Sequence, residues 1–178
     1  MPYYIGIDPG KNGALVLLDD NKFIAWCVMP TTKDNEIDAH QLGCWVKTWT
    51  QSDYNCVLED VHSIFGMSAK SNFQFGRALG ILEGVLASND IKVTKITPKV
   101  WQKEIWGNTL PISTDTGKKL KSGLPQLKID TKATSLLVAK QLFPDVNLLA
   151  TTRSKVPHDG LVDALLIAEY CRRKFKQK

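Results

Sequence analysis

The chain has 178 residues, of which 43% are hydrophobic and 23% are charged, and its formal net charge is +5. This length and composition predict a single globular domain over residues 1–178. The sequence has neither the roughly 18-residue apolar run of a membrane-spanning helix nor a secretory signal, so we expect no membrane association and a cytoplasmic location.

The positive charge is concentrated in one segment. Residues 92–132 contain nine lysines and three acidic residues, a net charge of +6, whereas the rest of the chain has a net charge of −1. Such a segment favours a polyanionic partner.

The cysteines do not indicate a metal or disulfide framework. They form no Cys-x-x-Cys pair and have no histidine at zinc-finger spacing. We interpret all four as small buried apolar residues: Cys27, Cys44, Cys56 and Cys171.

In chain order, the first half of the sequence predicts an antiparallel meander of three strands, then a helix and a further strand. Apolar runs bounded by turn residues predict the strands, and apolar residues at helical spacing predict the helix. The predicted strands are residues 3–7, 14–18, 23–29 and 56–59, and the helix is residues 38–50.

The second half predicts helices around one more strand. The longest helical pattern covers residues 71–88, with an apolar stripe of Phe75, Ala78, Leu79, Leu82, Val85 and Leu86. A strand at 93–96 and a helix beginning at Thr97-Pro98 follow. Residues 107–128 show no hydrophobic period, so we predict a long mobile basic loop there. Helices at 131–142 and 158–175 complete a predicted α/β fold.

Four carboxylates occupy positions suited to chemistry. Asp8 ends the first strand, Glu59 ends the fourth, and Asp159 and Asp163 share one face of the last helix. Taken singly, each is explained by a turn, a strand end or the helix dipole. Brought together they would repel one another, and a divalent cation such as Mg²⁺ or Mn²⁺ removes that repulsion. Two such ions are the usual arrangement for cutting a phosphodiester.

The segments around these carboxylates resemble the successive motifs of a known nuclease family. Gly6-Ile7-Asp8-Pro9-Gly10, Leu58-Glu59-Asp60-Val61 and the stretch from Asp159 to Ala168 are similar to motifs of the RuvC-type Holliday junction resolvases, in the RNase H-like superfamily. The resemblance implies an α/β, RNase H-like fold with a mixed five-stranded sheet flanked by helices. The short chain suits a phage or stand-alone member.

The resemblance also implies roles for individual residues. Asp8, Glu59 and Asp163 match the family's metal ligands, and Lys132 matches a basic residue that supports the transition state. The bacterial pattern has an acid or histidine three residues before the final aspartate, where this chain has Gly160. Asp159 is the natural substitute, at a spacing similar to that of organellar resolvases, and His158 is the competing fourth ligand.

DNA contacts follow from charge and from the resemblance together. Five lysines are expected to bind phosphates: Lys99, Lys103, Lys118, Lys119 and Lys121. The family stacks an aromatic residue against bases near the junction centre, and we assign this role to Phe65, with Phe73 in the same region. A homodimer is implied, because resolution needs two nicks, and the stripe on the long helix is the expected interface.

We therefore expect an Mg²⁺-dependent endonuclease that holds two ions per site and cuts four-way or other branched DNA in recombination and repair. One alternative is an actin-like sugar kinase, because Gly6 to Gly10 also resembles that family's first phosphate motif. A kinase of that type needs a second half that 178 residues do not easily hold. The other alternative is a junction-binding protein without activity.

Overall fold

A mixed five-stranded sheet organises the fold. The computed structural model describes residues 2–20, 23–49, 53–62, 66 and 68–176. The strands of this sheet are β1 (Tyr3–Asp8), β2 (Ala14–Leu18), β3 (Phe23–Val28), β4 (Tyr54–Glu59) and β5 (Thr94–Ile96). The helices are α1 (Ala39–Trp49), α2 (Ala69–Ser88), α3 (Pro98–Trp106), α4 (Thr131–Leu142) and α5 (Asp159–Phe175). The predicted α/β architecture is confirmed, and the ends of these elements shift by two residues or fewer.

The sheet has the order β3-β2-β1-β4-β5. Strand β2 pairs antiparallel with β1 and with β3, which confirms the predicted meander, and β4 runs parallel to both β1 and β5. Since β1 and β4 are parallel neighbours, their carboxyl ends lie at the same edge of the sheet.

The alternation of side chains divides the core between the two faces of the sheet. One face packs against α5, and its cluster includes Tyr4, Val16, Val57 and Trp101. The other face includes Ile5, Ile7, Leu15 and Leu58 and packs against α1 and α2.

The predicted apolar stripe of α2 is part of this second cluster. Ala78, Leu82, Val85 and Leu86 are buried against residues of the same chain. The other two residues of the stripe, Phe75 and Leu79, are half-buried, so the expectation that this stripe forms a dimer interface stays a prediction.

The segment predicted as a mobile basic loop contains a β-hairpin instead. Strands β6 (Ser113–Lys119) and β7 (Pro125–Ile129) pair antiparallel in a separate two-stranded sheet. The prediction failed because this hairpin is exposed on both faces, so its sequence does not alternate between apolar and polar residues.

One cysteine also differs from expectation, since Cys44 is exposed on α1 whereas the other three are buried.

Helix α5 lies very close to β1. A Cβ atom built on Gly6 would lie 2.2 Å from the backbone nitrogen of Ala168 and 2.3 Å from the carbonyl oxygen of Ala164. Only glycine allows this approach, because both obstructing atoms belong to the helix backbone. The fold therefore fixes where α5 crosses the sheet.

The far end of α5 is fixed by polar contacts. Arg172 bonds to the buried carboxylate of Glu169 and donates to the carbonyl oxygen of Asp20 at 3.0 Å. The Tyr4 hydroxyl donates to the Asp20 carboxylate, also at 3.0 Å.

Within the described part of the chain, none of the helices has the length and apolar character to cross a membrane.

We expect Gly6→Ala to lower the free energy of unfolding by at least about 2 kcal/mol, because the added methyl group pushes α5 off the sheet. Urea denaturation measures this. Gly84→Ala on α2 is the matched control: its Cβ meets nothing within 4 Å, and alanine favours a helix by up to about 1 kcal/mol. Equal stability of the two variants would contradict the close approach.

Candidate active site

The ends of β1 and β4 bring two carboxylates together. Ile7 of β1 pairs with Leu58 of β4 in parallel register, so the next residues, Asp8 and Glu59, lie side by side. Alternation places both side chains on the face that α5 covers, because Gly6 and Val57 two residues earlier belong to that face. Glu59 is buried and Asp8 is half-buried.

Helix α5 brings the other two carboxylates to the same edge of the sheet. Because Ala164 contacts Gly6, the preceding residue Asp163 lies near Asp8. Asp159 is one helical turn earlier, at the first position of α5, and it is exposed. The structure thus brings the four acidic residues selected from the sequence to one end of the sheet.

These carboxylates destabilise each other's charged forms. Burial raises the pKa of Asp8 well above its ordinary value, and the charges of Asp163, Glu59 and Asp159 raise it further. Burial raises the pKa of Asp163 to about 7, with smaller contributions from Glu59 and Asp159. The negative charges of the cluster therefore repel one another, and a bound cation would relieve this repulsion.

Two hydrogen-bond donors that sequence reasoning missed hold members of this cluster. The indole Nε1 of Trp101, on α3, donates to Glu59 Oε1 at 2.7 Å. Burial raises the pKa of Glu59, and this bond lowers it in part. The buried hydroxyl of Ser135, on α4, bonds to Asp163 and lowers the pKa of that carboxyl against the effect of burial. No sequence pattern indicated either donor, because both act across the tertiary fold.

Lys132 forms an ion pair with one of the four carboxylates, that of Asp159. Its Nζ donates to Asp159 Oδ2 at 2.5 Å, and both side chains are more than half exposed. The hydrogen bond to Asp159 raises the pKa of Lys132. The predicted basic residue therefore lies beside the predicted ligands, at the start of α4.

His158 caps the first turn of α5. The backbone N–H of Leu161 donates to His158 Nδ1 at 3.2 Å. Since Nδ1 accepts this bond, the neutral ring carries its proton on Nε2. A nitrogen that carries a proton has no lone pair for a metal, so this cap and metal binding exclude each other.

The absence of an acid at position 160 has a steric cause. A Cβ built on Gly160 would lie 2.1 Å from the carbonyl oxygen of Asn12 and 2.7 Å from the Cα of Gly13. The turn between β1 and β2 thus fills the space that a side chain at 160 would need, and any acid must come from another position of α5.

The donor chemistry fits a hard divalent cation. Four carboxylates at one edge supply oxygen ligands of the kind that Mg²⁺ prefers. Within the described residues, however, no group of three or more His, Cys, Asp or Glu side chains is arranged so that it could hold a metal ion. Glu59 and Asp159 each give one oxygen to a protein donor, Trp101 and Lys132 respectively.

The residues predicted to contact DNA lie on the surface. Lys99 and Lys103 are exposed, four residues apart on α3, and Phe73 is 71% exposed near the start of α2. The other three lysines lie on the hairpin, with Lys118 and Lys119 in β6 and Lys121 in its connecting turn. Phe65 lies outside the described residues.

The pKa of Asp163 predicts how stability depends on pH when no divalent cation is present. The folded protein holds this proton to about pH 7, whereas the unfolded chain releases it near pH 4. The free energy of unfolding should therefore fall as the pH rises through this interval. Denaturation in a chelator measures the decline, which Asp163→Asn should reduce. Asp60→Asn, whose carboxylate lies 3.6 Å from His62, is the control and should retain it.

The bond between Trp101 and Glu59 predicts energetic coupling. In a double-mutant cycle of Trp101→Phe and Glu59→Leu, we expect a coupling energy of about 2 kcal/mol at neutral pH, the size of a hydrogen bond to a charged group. Urea denaturation of the four proteins measures it. Additive effects of the two substitutions would show that this hydrogen bond contributes nothing to stability.

Comparisons with known proteins agree with this architecture. No family model and no curated protein matches the sequence. Among solved structures, the chain is similar to Thermus thermophilus RuvC, with 16% identity and a TM-score of 0.56 over 97% of this chain and 96% of that one. A second structure, of T. thermophilus RuvC in complex with Holliday junction substrate, gives 14% identity and the same TM-score over 98% and 96%.

A third solved structure is too weakly similar to this chain to support a conclusion about its fold. The ethanolamine utilization protein EutJ from Carboxydothermus hydrogenoformans gives a TM-score of 0.34 and 15% identity over 80% of this chain and 57% of that one. The two RuvC structures, by contrast, match the chain almost from end to end, with a TM-score above 0.5. The chain therefore has the RuvC-type, RNase H-like fold.

Proposed function

We propose that this chain is a metal-dependent endonuclease that cuts four-way or other branched DNA. The observation that carries the proposal is the convergence of Asp8, Glu59 and Asp163 at one edge of a RuvC-type sheet, where the pKa of each carboxyl is raised. A cluster that is unfavourable without a cation is typical of a site built to bind one. One of the similar RuvC structures contains Holliday junction substrate, which supports this choice of DNA.

Asp8, Glu59, Asp159 and Asp163 would hold two Mg²⁺ ions, with Mn²⁺ as a substitute. When bound, such a pair activates the attacking water and stabilises the leaving oxygen of a phosphodiester. Asp159 is the exposed member of the set, so its carboxylate is free to turn from Lys132 towards the other three.

The remaining residues of the site would orient the carboxylates and neutralise negative charge on the substrate. Trp101 and Ser135 hold Glu59 and Asp163 in place, so these two carboxylates need little reorganisation. Lys132 is exposed, and its ammonium group can exchange Asp159 for a phosphate that approaches the site. There it would neutralise the negative charge that develops in the transition state.

We propose Asp159, rather than His158, as the fourth ligand. The His158 ring caps α5 through Nδ1, and this role leaves a proton on the only other nitrogen. Asp159 has no capping role in the described contacts, and its ion pair with Lys132 is solvent-exposed and therefore weak.

The exposed lysines of α3 and of the hairpin would bind the DNA backbone. Phosphate contacts of this kind make affinity fall steeply with salt concentration. A homodimer would supply two sites for paired nicks, as expected from the sequence. On the α2 stripe, the half-buried Phe75 and Leu79 are the residues that a partner copy would cover.

The decisive experiment offers purified protein and Mg²⁺ a labelled four-way junction, a flap, a fork and a duplex of matched sequence. We expect paired cuts in the junction, and Asp8→Asn and Glu59→Gln should slow them by at least about a thousandfold. Both variants should still bind the junction, since the lysines are unchanged.

Asp60→Asn, one residue from Glu59, is the matched control and should cut normally. ATP turnover without cutting would favour the actin-like kinase, and tight binding without cutting would favour the inactive junction-binding protein. For the fourth ligand, Asp159→Asn should lose activity whereas His158→Asn should keep it, because asparagine also caps helices. The reverse result would identify His158 as the ligand.

A further inference from the structure

We propose that the β6–β7 hairpin is a wedge that opens the DNA at its branch point, with Leu120 and Leu124 at its tip inserted between bases. The inference rests on the proposed function, because it takes branched DNA as the ligand. It adds a strand-separating element that is distinct from the phosphate-binding lysines and from the carboxylate cluster.

The hairpin exposes an unusual amount of apolar surface. Every residue from 111 to 129 is exposed. Six of the eleven large apolar residues that are exposed in the described part of the chain lie in or beside the hairpin. They are Leu110, Ile112, Leu120, Leu124, Leu127 and Ile129. Exposed apolar area concentrated in this way marks a binding surface.

The charge of the hairpin indicates what covers it. Residues 107–129 contain four lysines and one aspartate, a net charge of +3. Lys119 and Lys121 lie on either side of Leu120, so any partner that covers this leucine must also accept two ammonium groups. A branched nucleic acid satisfies both demands, because it offers phosphates beside the exposed faces of bases.

The tip has the geometry of a wedge. Lys119 pairs with Pro125, and the backbone N–H of Leu120 donates to the carbonyl oxygen of Leu124 at 2.8 Å. The two leucines therefore lie opposite each other as the last pair before the turn. Gly123 closes the turn with a φ of +84°, a conformation that favours glycine. Leucine pairs of this kind can enter between base steps and unstack them.

The root of the hairpin is tied to the candidate active site. The N–H of Asp130 donates to the carbonyl oxygen of Ile112 at 2.8 Å, and the N–H of Ile112 donates to the buried Thr134 hydroxyl at 3.0 Å. Lys132 lies between Asp130 and Thr134 on α4 and contacts Asp159. At about 3.3 Å per residue, the tip reaches roughly 25 Å from this root. The hairpin thus begins beside the candidate active site, and its length is enough for the tip to reach DNA held there.

The test compares two four-way junctions of the same sequence, one fully paired and one with mismatched bases at the crossover. We expect Leu120→Ser/Leu124→Ser to cut the paired junction at least about tenfold more slowly than the parent protein, because unstacking a base step is costly. On the mismatched junction the two proteins should agree within about twofold, since opening is no longer needed. Leu142→Ser/Val156→Ser is the matched control, because it also replaces two exposed apolar residues and both lie outside the hairpin.

A second measurement does not depend on cutting. A fluorescent base analogue at the crossover should brighten when saturating Asp8→Asn protein binds, and should not brighten when the two leucines are also replaced. Equal brightening with and without the leucines would overturn the wedge. So would an equal loss of cutting in Leu142→Ser/Val156→Ser. A tip variant that opens the junction normally but differs from the parent protein in oligomeric state, as measured by light scattering, would also overturn the wedge. If the parent protein cuts neither junction, the proposed function fails, and the fluorescence result still decides the wedge.

Discussion

The contact between Gly6 and the backbone of α5 is the constraint on which the rest of the structure depends. It fixes the crossing point of the last helix on β1, and the bonds from Arg172 and Tyr4 to Asp20 fix the helix at its other end. A helix held at two points cannot slide or rotate freely. Its two aspartates are therefore held near the ends of β1 and β4 by contacts made elsewhere on the helix. The geometry of the carboxylate cluster therefore depends on Gly6, because only a glycine at this position of β1 lets α5 approach so closely.

That placement has an electrostatic cost that the protein only partly offsets. The pKa of Asp8 and that of Asp163 are raised because burial and mutual repulsion disfavour their charged forms. Ser135 opposes this effect at Asp163 through a hydrogen bond, and Trp101 opposes the corresponding effect of burial on the pKa of Glu59; each bond also keeps its carboxylate in one orientation. The remaining conflict is concentrated where a cation would be bound. Stability is lower than it would be with neutral residues, and a bound cation would relieve this cost.

Sequence patterns predicted the five-stranded sheet and its flanking helices because their apolar residues recur at regular spacing. They predicted Asp8, Glu59, Asp159 and Asp163 because strand ends and a shared helix face can be read from local order. They did not predict Trp101 or Ser135, whose partners are distant in sequence and are brought close only by the packing of α3 and α4. The hairpin was predicted as a loop because neither of its faces is buried. The role of Gly160 required knowledge of where the turn between β1 and β2 lies.

The hairpin begins and ends at almost the same point. Ile112 and Asp130 are joined by a backbone hydrogen bond, so a short turn could replace everything between them without disturbing α3, α4 or the sheet. The segment is in this sense a module, because its two strands pair with each other and not with the main sheet. Under the proposed function, substrate preference would be set by the hairpin and chemistry by the carboxylates, two separate parts of the same fold.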